Sequence, residues 1–191
     1  AKKRSQNISS YNDDFIAVGR LTKQKNFGFL NKNFSQVVKI NNGLRLSIFG
    51  EGEEKKKLMS LIMKYNLKQN VTLRSFEQNI FPYMQKSKSL VLTSNWEDPG
   101  FVLIESAICR TSLISSNCKN GPVEILDNNK AGLLFEKNDS NDFIKIFNDF
   151  LNMSNKEVTK KKKNALKKAR LFTIFNHSKD LHHIINQLMF K

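Results

Sequence analysis

Short apolar runs alternate along this chain with stretches whose apolar residues recur every three or four positions. Phe15-Ile16-Ala17-Val18-Gly19, Leu44 to Phe49, Val71 to Arg74, Leu90 to Thr93, Ser112 to Ser115 and Gly132 to Phe135 are rich in aliphatic side chains. Runs of this length, bounded by turn formers, read as buried strands. Phe27, Leu30, Phe34, Val37 and Val38 mark a helix, and Leu58, Leu61, Ile62 and Tyr65 mark another. Shorter helices are predicted over Ile80 to Lys86, Phe101 to Cys109 and Val123 to Leu126, and three more near 140–152, 155–171 and 177–190. Strand–helix alternation of this kind predicts an α/β fold. We expect a Rossmann-like parallel six-stranded sheet with helices on both faces and extra C-terminal helices. Residues 1–13 are polar and read as a tail or linker, with one domain over 14–191.

Composition supports a folded domain. Of 191 residues 39% are hydrophobic and 15 are Phe. No apolar run approaches the ~20 residues that a membrane span needs. Ala1-Lys2-Lys3-Arg4-Ser5 lacks the apolar stretch of a secretory signal, and no initiator Met stands at position 1, so a processed or truncated piece is expected. Two cysteines, Cys109 and Cys118, do not make a disulfide framework, and a reducing cytoplasm fits them. The net charge of +15 invites nucleic acid or an anionic membrane as partner. Only six of the 32 basic residues are Arg, however, and Asn is abundant. Specific nucleic-acid readers lean on Arg for bidentate contacts, so nucleic acid is not expected as a partner. Lys160 to Lys163, with Lys167 and Lys168, read as a solvated helix face, and peripheral contact with anionic lipid is the sharper reading. His177, His182 and His183 fall in the last segment, and the adjacent His182 and His183 do not share a helix face, so no metal is expected.

The chemistry concentrates in Ser94-Asn95-Trp96-Glu97-Asp98-Pro99-Gly100-Phe101-Val102-Leu103-Ile104-Glu105-Ser106-Ala107. Asp98-Pro99-Gly100 turns the chain between a strand and a helix. Glu97 then leaves the carboxyl end of the strand, where ligands bind in open parallel sheets, and Glu105 lies about two turns into the helix. Backbone N–H groups of Gly100, Phe101 and Val102 would face the same crevice, at a helix N-terminus that favours anions. A phosphate seat beside two acceptor carboxylates, which suit hydroxyl groups, reads as a sugar-nucleotide site.

Several ordered motifs resemble one family. Gly19-Arg20 is followed by Lys25, then Phe49-Gly50-Glu51-Gly52-Glu53, Val71-Thr72-Leu73, Glu97-x7-Glu105, Asn120-Gly121-Pro122-Val123-Glu124-Ile125 and Ala131-Gly132-Leu133-Leu134-Phe135. From about Phe15 to Phe175 the chain resembles the C-terminal, donor-binding domain of a group 1 retaining glycosyltransferase of the two-domain GT-B type. It departs from that pattern at Arg110-Thr111-Ser112, where the family usually has Gly-x-Pro, and near Ser75, where a Gly is common. The resemblance implies an enzyme that moves a hexose or N-acetylhexosamine from a nucleoside diphosphate donor to a glycan or lipid-linked acceptor, with retention. It implies no metal and no cofactor besides the donor, because Arg20, Lys25 and the helix at Gly100, Phe101 and Val102 take the diphosphate charge. Glu97 is then the catalytic residue at the sugar, Glu105 holds the ribose, and Ser75 and Phe76 line the nucleobase pocket. Gly50 and Gly52 read as turn formers, and Glu124 stays open between structure and site. The acceptor-side N-terminal domain of such enzymes is absent, so this chain alone is expected to be inactive. A cytoplasmic protein, peripheral at the inner face of the membrane, is expected. A non-catalytic basic module for nucleotides or anionic polymers is the alternative; it would depend on the lysine clusters and not on Glu97 or Glu105.

Overall fold

A computed structural model of the chain describes residues 10–189. Six strands form one sheet: β1 (Phe15–Val18), β2 (Leu46–Phe49), β3 (Val71–Arg74), β4 (Ser89–Leu92), β5 (Ser112–Ser116) and β6 (Leu133–Phe135). Their order is β3-β2-β1-β4-β5-β6, and every neighbouring pair is parallel. The helices are α1 (Phe27–Ile40), α2 (Lys55–Lys64), α3 (Phe81–Lys86), α4 (Phe101–Ile108), α5 (Pro122–Ile125), α6 (Ser140–Asn152), α7 (Asn155–Ala169) and α8 (Ile174–Met189).

Alternation along each strand sends side chains to two cores. Phe15, Ala17, Leu46, Ile48, Val91 and Ile114 pack under α1, α2 and α6. Ile16, Phe49, Leu90, Leu92 and Leu113 pack under α3, α4, α5 and α7. A sheet covered on both faces explains why its strands read as continuous apolar runs. The first core is built from phenylalanines. Phe15 and Phe143 each lie 4.8 Å, ring centre to centre, from Phe147, and all three are fully buried. Truncating a buried Phe to Ala costs roughly 3–5 kcal/mol.

Most boundaries match the sequence pattern within two residues. The last helix starts three positions earlier than expected, at Ile174, and its expected end at position 190 lies outside the described residues. The expected tail is the larger correction. Residues 1–9 lie outside the described residues, but Tyr11 and Asp13 are buried. Asp13 accepts hydrogen bonds from Ser47 Oγ and from Arg74 Nη2. The Arg74 guanidinium covers the rings of Tyr11 and Phe49 at 5.4 and 5.6 Å. Two buried polar groups survive here because each has a partner.

The lysine run is also corrected. Lys161 Nζ donates to the carbonyls of Asn129 and Gly132, so α7 is tied to the loop before β6. Burial lowers the pKa of both Lys161 and Lys162, whereas Lys160 and Lys163 are exposed. Among the described residues no helix is long and apolar enough to cross a membrane.

The strand order places the first connection reversal between β1 and β4. The chain runs on from β1 to β2 on one side and from β4 to β5 on the other, and the crevice opens at this switch point, beyond the carboxyl ends.

Candidate functional site

Loops 19–26 after β1 and 93–100 after β4 are bound to each other. Asn95 N donates to Gln24 O at 2.8 Å, Asn95 Nδ2 to Lys23 O at 2.8 Å, and Thr93 Oγ1 to Lys25 O at 3.0 Å. These bonds fix Lys25 opposite Glu97. Lys25 Nζ donates to both carboxylate oxygens, at 2.7 and 2.9 Å. The pair is largely withdrawn from water, with side-chain exposures of 15% and 5%. Ser94 Oγ donates to Glu97 Oε1 as well, and Ser116 Oγ donates to the Ser94 carbonyl. Glu97 N donates to Lys119 O at 3.2 Å, which holds the segment on the loop after β5.

Close backbone approaches shape the rim. Gly121 has φ 120°, and a Cβ there would overlap the Pro99 carbonyl oxygen, so the loop before α5 packs directly on the Asp98-Pro99-Gly100 turn. At Gly50 a Cβ would overlap the Gly19 carbonyl oxygen. Gly50 thus lets the ends of β1 and β2 meet at a distance that a larger residue would forbid.

Two adjoining depressions make one cleft. The first, about 410 Å³, is walled by Gln24, Lys25, Glu97, Gly100, Phe101 and Val102. The second, about 490 Å³, is walled by Phe49, Phe76, Ile80 and Phe81, with Glu51, Glu77 and Gln78 at its edge. Val18, Gly19, Arg20 and Glu105 belong to both. Arg20 and Glu105 therefore form the waist, with a charged lobe on one side and an aromatic lobe on the other. The first N–H groups of α4 have no partner one turn back and lie at the positive end of the helix, in the charged lobe. Burial raises the pKa of Glu105.

The structure brings Arg20, Lys25, Glu97, Gly100, Phe101, Val102, Glu105 and Phe76 to this cleft. Ser75 is the exception: it does not line the cleft and instead hydrogen-bonds the Glu51 carboxylate, which lies low in pKa through Lys55 first and Ser75 second. β3 ends at Arg74, and Phe76, two residues on, lines the aromatic lobe. Glu124 is exposed and borders a different depression, beside Lys168 and Phe172. Sequence reasoning missed Ser94, Phe49, Ile80 and Phe81. Ser94 stands one helical turn's length before Glu97, but no local pattern announces a hydroxyl aimed at a carboxylate. Phe49 closes an apolar strand and reads as core, yet it also lines the aromatic lobe of the cleft.

Comparisons with known proteins agree with this architecture. The family model for glycosyl transferases group 1 matches residues 1–171. The chain belongs to that family. It is 39% identical over 125 residues to an uncharacterized glycosyltransferase of Methanocaldococcus jannaschii, covering 65% of this chain and 31% of the relative. It is 32% identical over 140 residues to the Campylobacter jejuni N-acetylgalactosamine-N,N'-diacetylbacillosaminyl-diphospho-undecaprenol 4-alpha-N-acetylgalactosaminyltransferase, covering 73% of this chain and 38% of the relative. The chain thus spans well under half the length of these relatives. HepE of Anabaena, solved in complex with UDP, shares the fold with a TM-score of 0.82 at 18% identity, over 97% of this chain and 52% of that one.

Proposed function

We propose that this domain binds the nucleoside diphosphate sugar donor of a retaining glycosyl transfer. The observation that carries the reading is the divided cleft, with Arg20 and Glu105 shared by its two lobes. A nucleotide sugar has the same succession of parts. Its base is flat and apolar-faced and suits the lobe of Phe49, Phe76, Ile80 and Phe81. Its ribose hydroxyls fall at the waist, where Glu105 accepts hydrogen bonds. Its diphosphate falls among Arg20, Lys25 and the N–H groups of Gly100, Phe101 and Val102, all donors to anions. The sugar then lies at Glu97, which accepts from its hydroxyls and supports positive charge developing at the anomeric carbon.

As the sugar leaves, negative charge grows on the diphosphate. Arg20, Lys25 and the α4 N-terminus neutralise it without a metal ion, in this reading. The acceptor, a glycan or a lipid-linked sugar, is assigned to a partner domain outside this chain, so residues 1–191 alone are expected to transfer no sugar. The Campylobacter relative's name, with its diphospho-undecaprenol acceptor, supports the lipid-linked alternative for the acceptor. The reading also implies a cytoplasmic protein. Peripheral contact with an anionic membrane falls to the exposed Lys160 and Lys163 rather than to Lys161, which the fold has already engaged.

Ligand-observed magnetic resonance with uridine and guanosine diphosphates tests the proposal. We expect saturable binding that weakens in Arg20→Ala and in Glu105→Ala. Absence of binding by any nucleoside diphosphate at millimolar concentration contradicts it.

A further inference from the structure

Lys25 and Glu97 carry tasks that conflict. The diphosphate needs the Lys25 ammonium, yet two of its three N–H donors go to the two oxygens of Glu97. Arg20 is exposed and free to meet an incoming anion from the waist of the cleft, but Lys25 is not. The two partners also differ in freedom to move. Glu97 is 4% exposed and is held a second time by Ser94 Oγ, whose own backbone is fixed by Ser116. Lys25 has a flexible four-carbon stem, and that stem lies against Gly19, where a Cβ would come within 3.0 Å of its Cε. The mobile member of the pair is therefore the cation.

We propose that donor binding exchanges the partners of Lys25: the diphosphate displaces the Glu97 carboxylate from Nζ, and Ser94 keeps that carboxylate in place to receive the sugar hydroxyls. Ser94 is a positioning residue, and Glu97 is a built-in competitor of the nucleotide as well as a ligand of the sugar. The inference rests on the donor-site reading of the cleft. Its consequence is unusual for a binding residue: neutralising Glu97 improves the affinity for a nucleoside diphosphate that carries no sugar.

Calorimetry with uridine diphosphate, on wild type, Glu97→Gln, Lys25→Met and the double variant, tests this, with thermal melting to verify that each is folded. A hydrogen-bonded charged partner is released from competition, so Glu97→Gln should bind roughly tenfold more tightly. In the Lys25→Met background the same change should alter affinity by no more than about twofold, because the competed group is gone. Ser94→Ala should bind the nucleotide more weakly, since Glu97 then leans wholly on Lys25, and Ser94→Thr should restore it. An unchanged or weaker affinity in Glu97→Gln overturns the exchange. So does an equal gain with and without Lys25, which would mean simple repulsion between Glu97 and the phosphates. Wild type that binds no nucleoside diphosphate overturns the donor-site reading itself, and the exchange with it.

Discussion

Lys25 Nζ lies 2.7 Å from Glu97 Oε1, joining residues 72 positions apart across the gap between β1 and β4. This contact is where the sheet's topology becomes chemistry. The reversal of strand order opens the crevice, and the two loops that border it each contribute one charge. Because the pair is buried, removing one member strands the other, at a cost of about 3–5 kcal/mol, whereas replacing both by neutral groups is far milder. Urea unfolding should therefore find Lys25→Met less stable than the Lys25→Met/Glu97→Gln double variant. Equal or greater loss in the double variant would show that the pair is not coupled.

Glu105 sets ligand binding against stability. Burial raises its pKa in the folded chain. Its contribution to stability is present below the unfolded carboxylate value, about 4.3, and is lost as pH rises through the folded value. At neutral pH the ionised side chain is thus a burden on the fold. Glu105→Gln should raise the melting temperature at pH 7, leave it nearly unchanged near pH 4, and weaken binding of uridine diphosphate. Melting curves at the two pH values, alongside one titration, check all three.

Tyr11 gives an alkaline counterpart. Burial, the largest influence, pushes its pKa up to about 12 from 10.0, and its hydroxyl pairs with Ser87 Oγ at 2.8 Å. The stability it contributes is complete below the unfolded value and is lost as pH rises from about 10 through 12. Tyr11→Phe should cost about 1 kcal/mol at pH 7, the worth of one hydrogen bond, and should flatten the fall in stability over that window. Chemical denaturation at a series of alkaline pH values measures the slope.

Lys161 and its neighbours divide the basic run by role. Lys161→Gln leaves the carbonyls of Asn129 and Gly132 without their donor and should cost roughly 1–3 kcal/mol. Lys160→Gln and Lys163→Gln should stay within about 0.5 kcal/mol of wild type. Those two should instead reduce sedimentation with anionic vesicles at low salt, an effect that high salt screens. Unchanged vesicle binding would leave their side of α7 as an ordinary solvated face.

The strands were legible because a parallel sheet covered on both sides writes its strands as apolar runs, and Phe15 to Val18 or Ser112 to Ser116 can be nothing else in this context. The site was legible where function requires a residue type at a fixed local spacing, as with Glu97 and Glu105 on one turn and helix. Long-range contacts were not. Nothing in the sequence pairs Lys25 with Glu97, because the strand order that brings them together is a property of the whole sheet. Tyr11 and Asp13 sit in a polar segment and look solvated, yet Ser87 pairs with Tyr11, and Ser47 and Arg74 donate to Asp13, which makes their burial tolerable. Lys161 looks like its neighbours in sequence, and only its contact with the loop before β6 sets it apart.

On the donor-site reading one nucleotide spans both lobes of the cleft. Amide chemical-shift mapping with uridine diphosphate is the decisive test. Saturating ligand should shift the amides of Gly19 and Arg20, of Gly100 to Val102, and of Phe76 to Gln78 together, with a single dissociation constant, and leave those of Lys160 to Lys168 in place. Shifts confined to the lysine-rich helix, or separate constants for the two lobes, would contradict it.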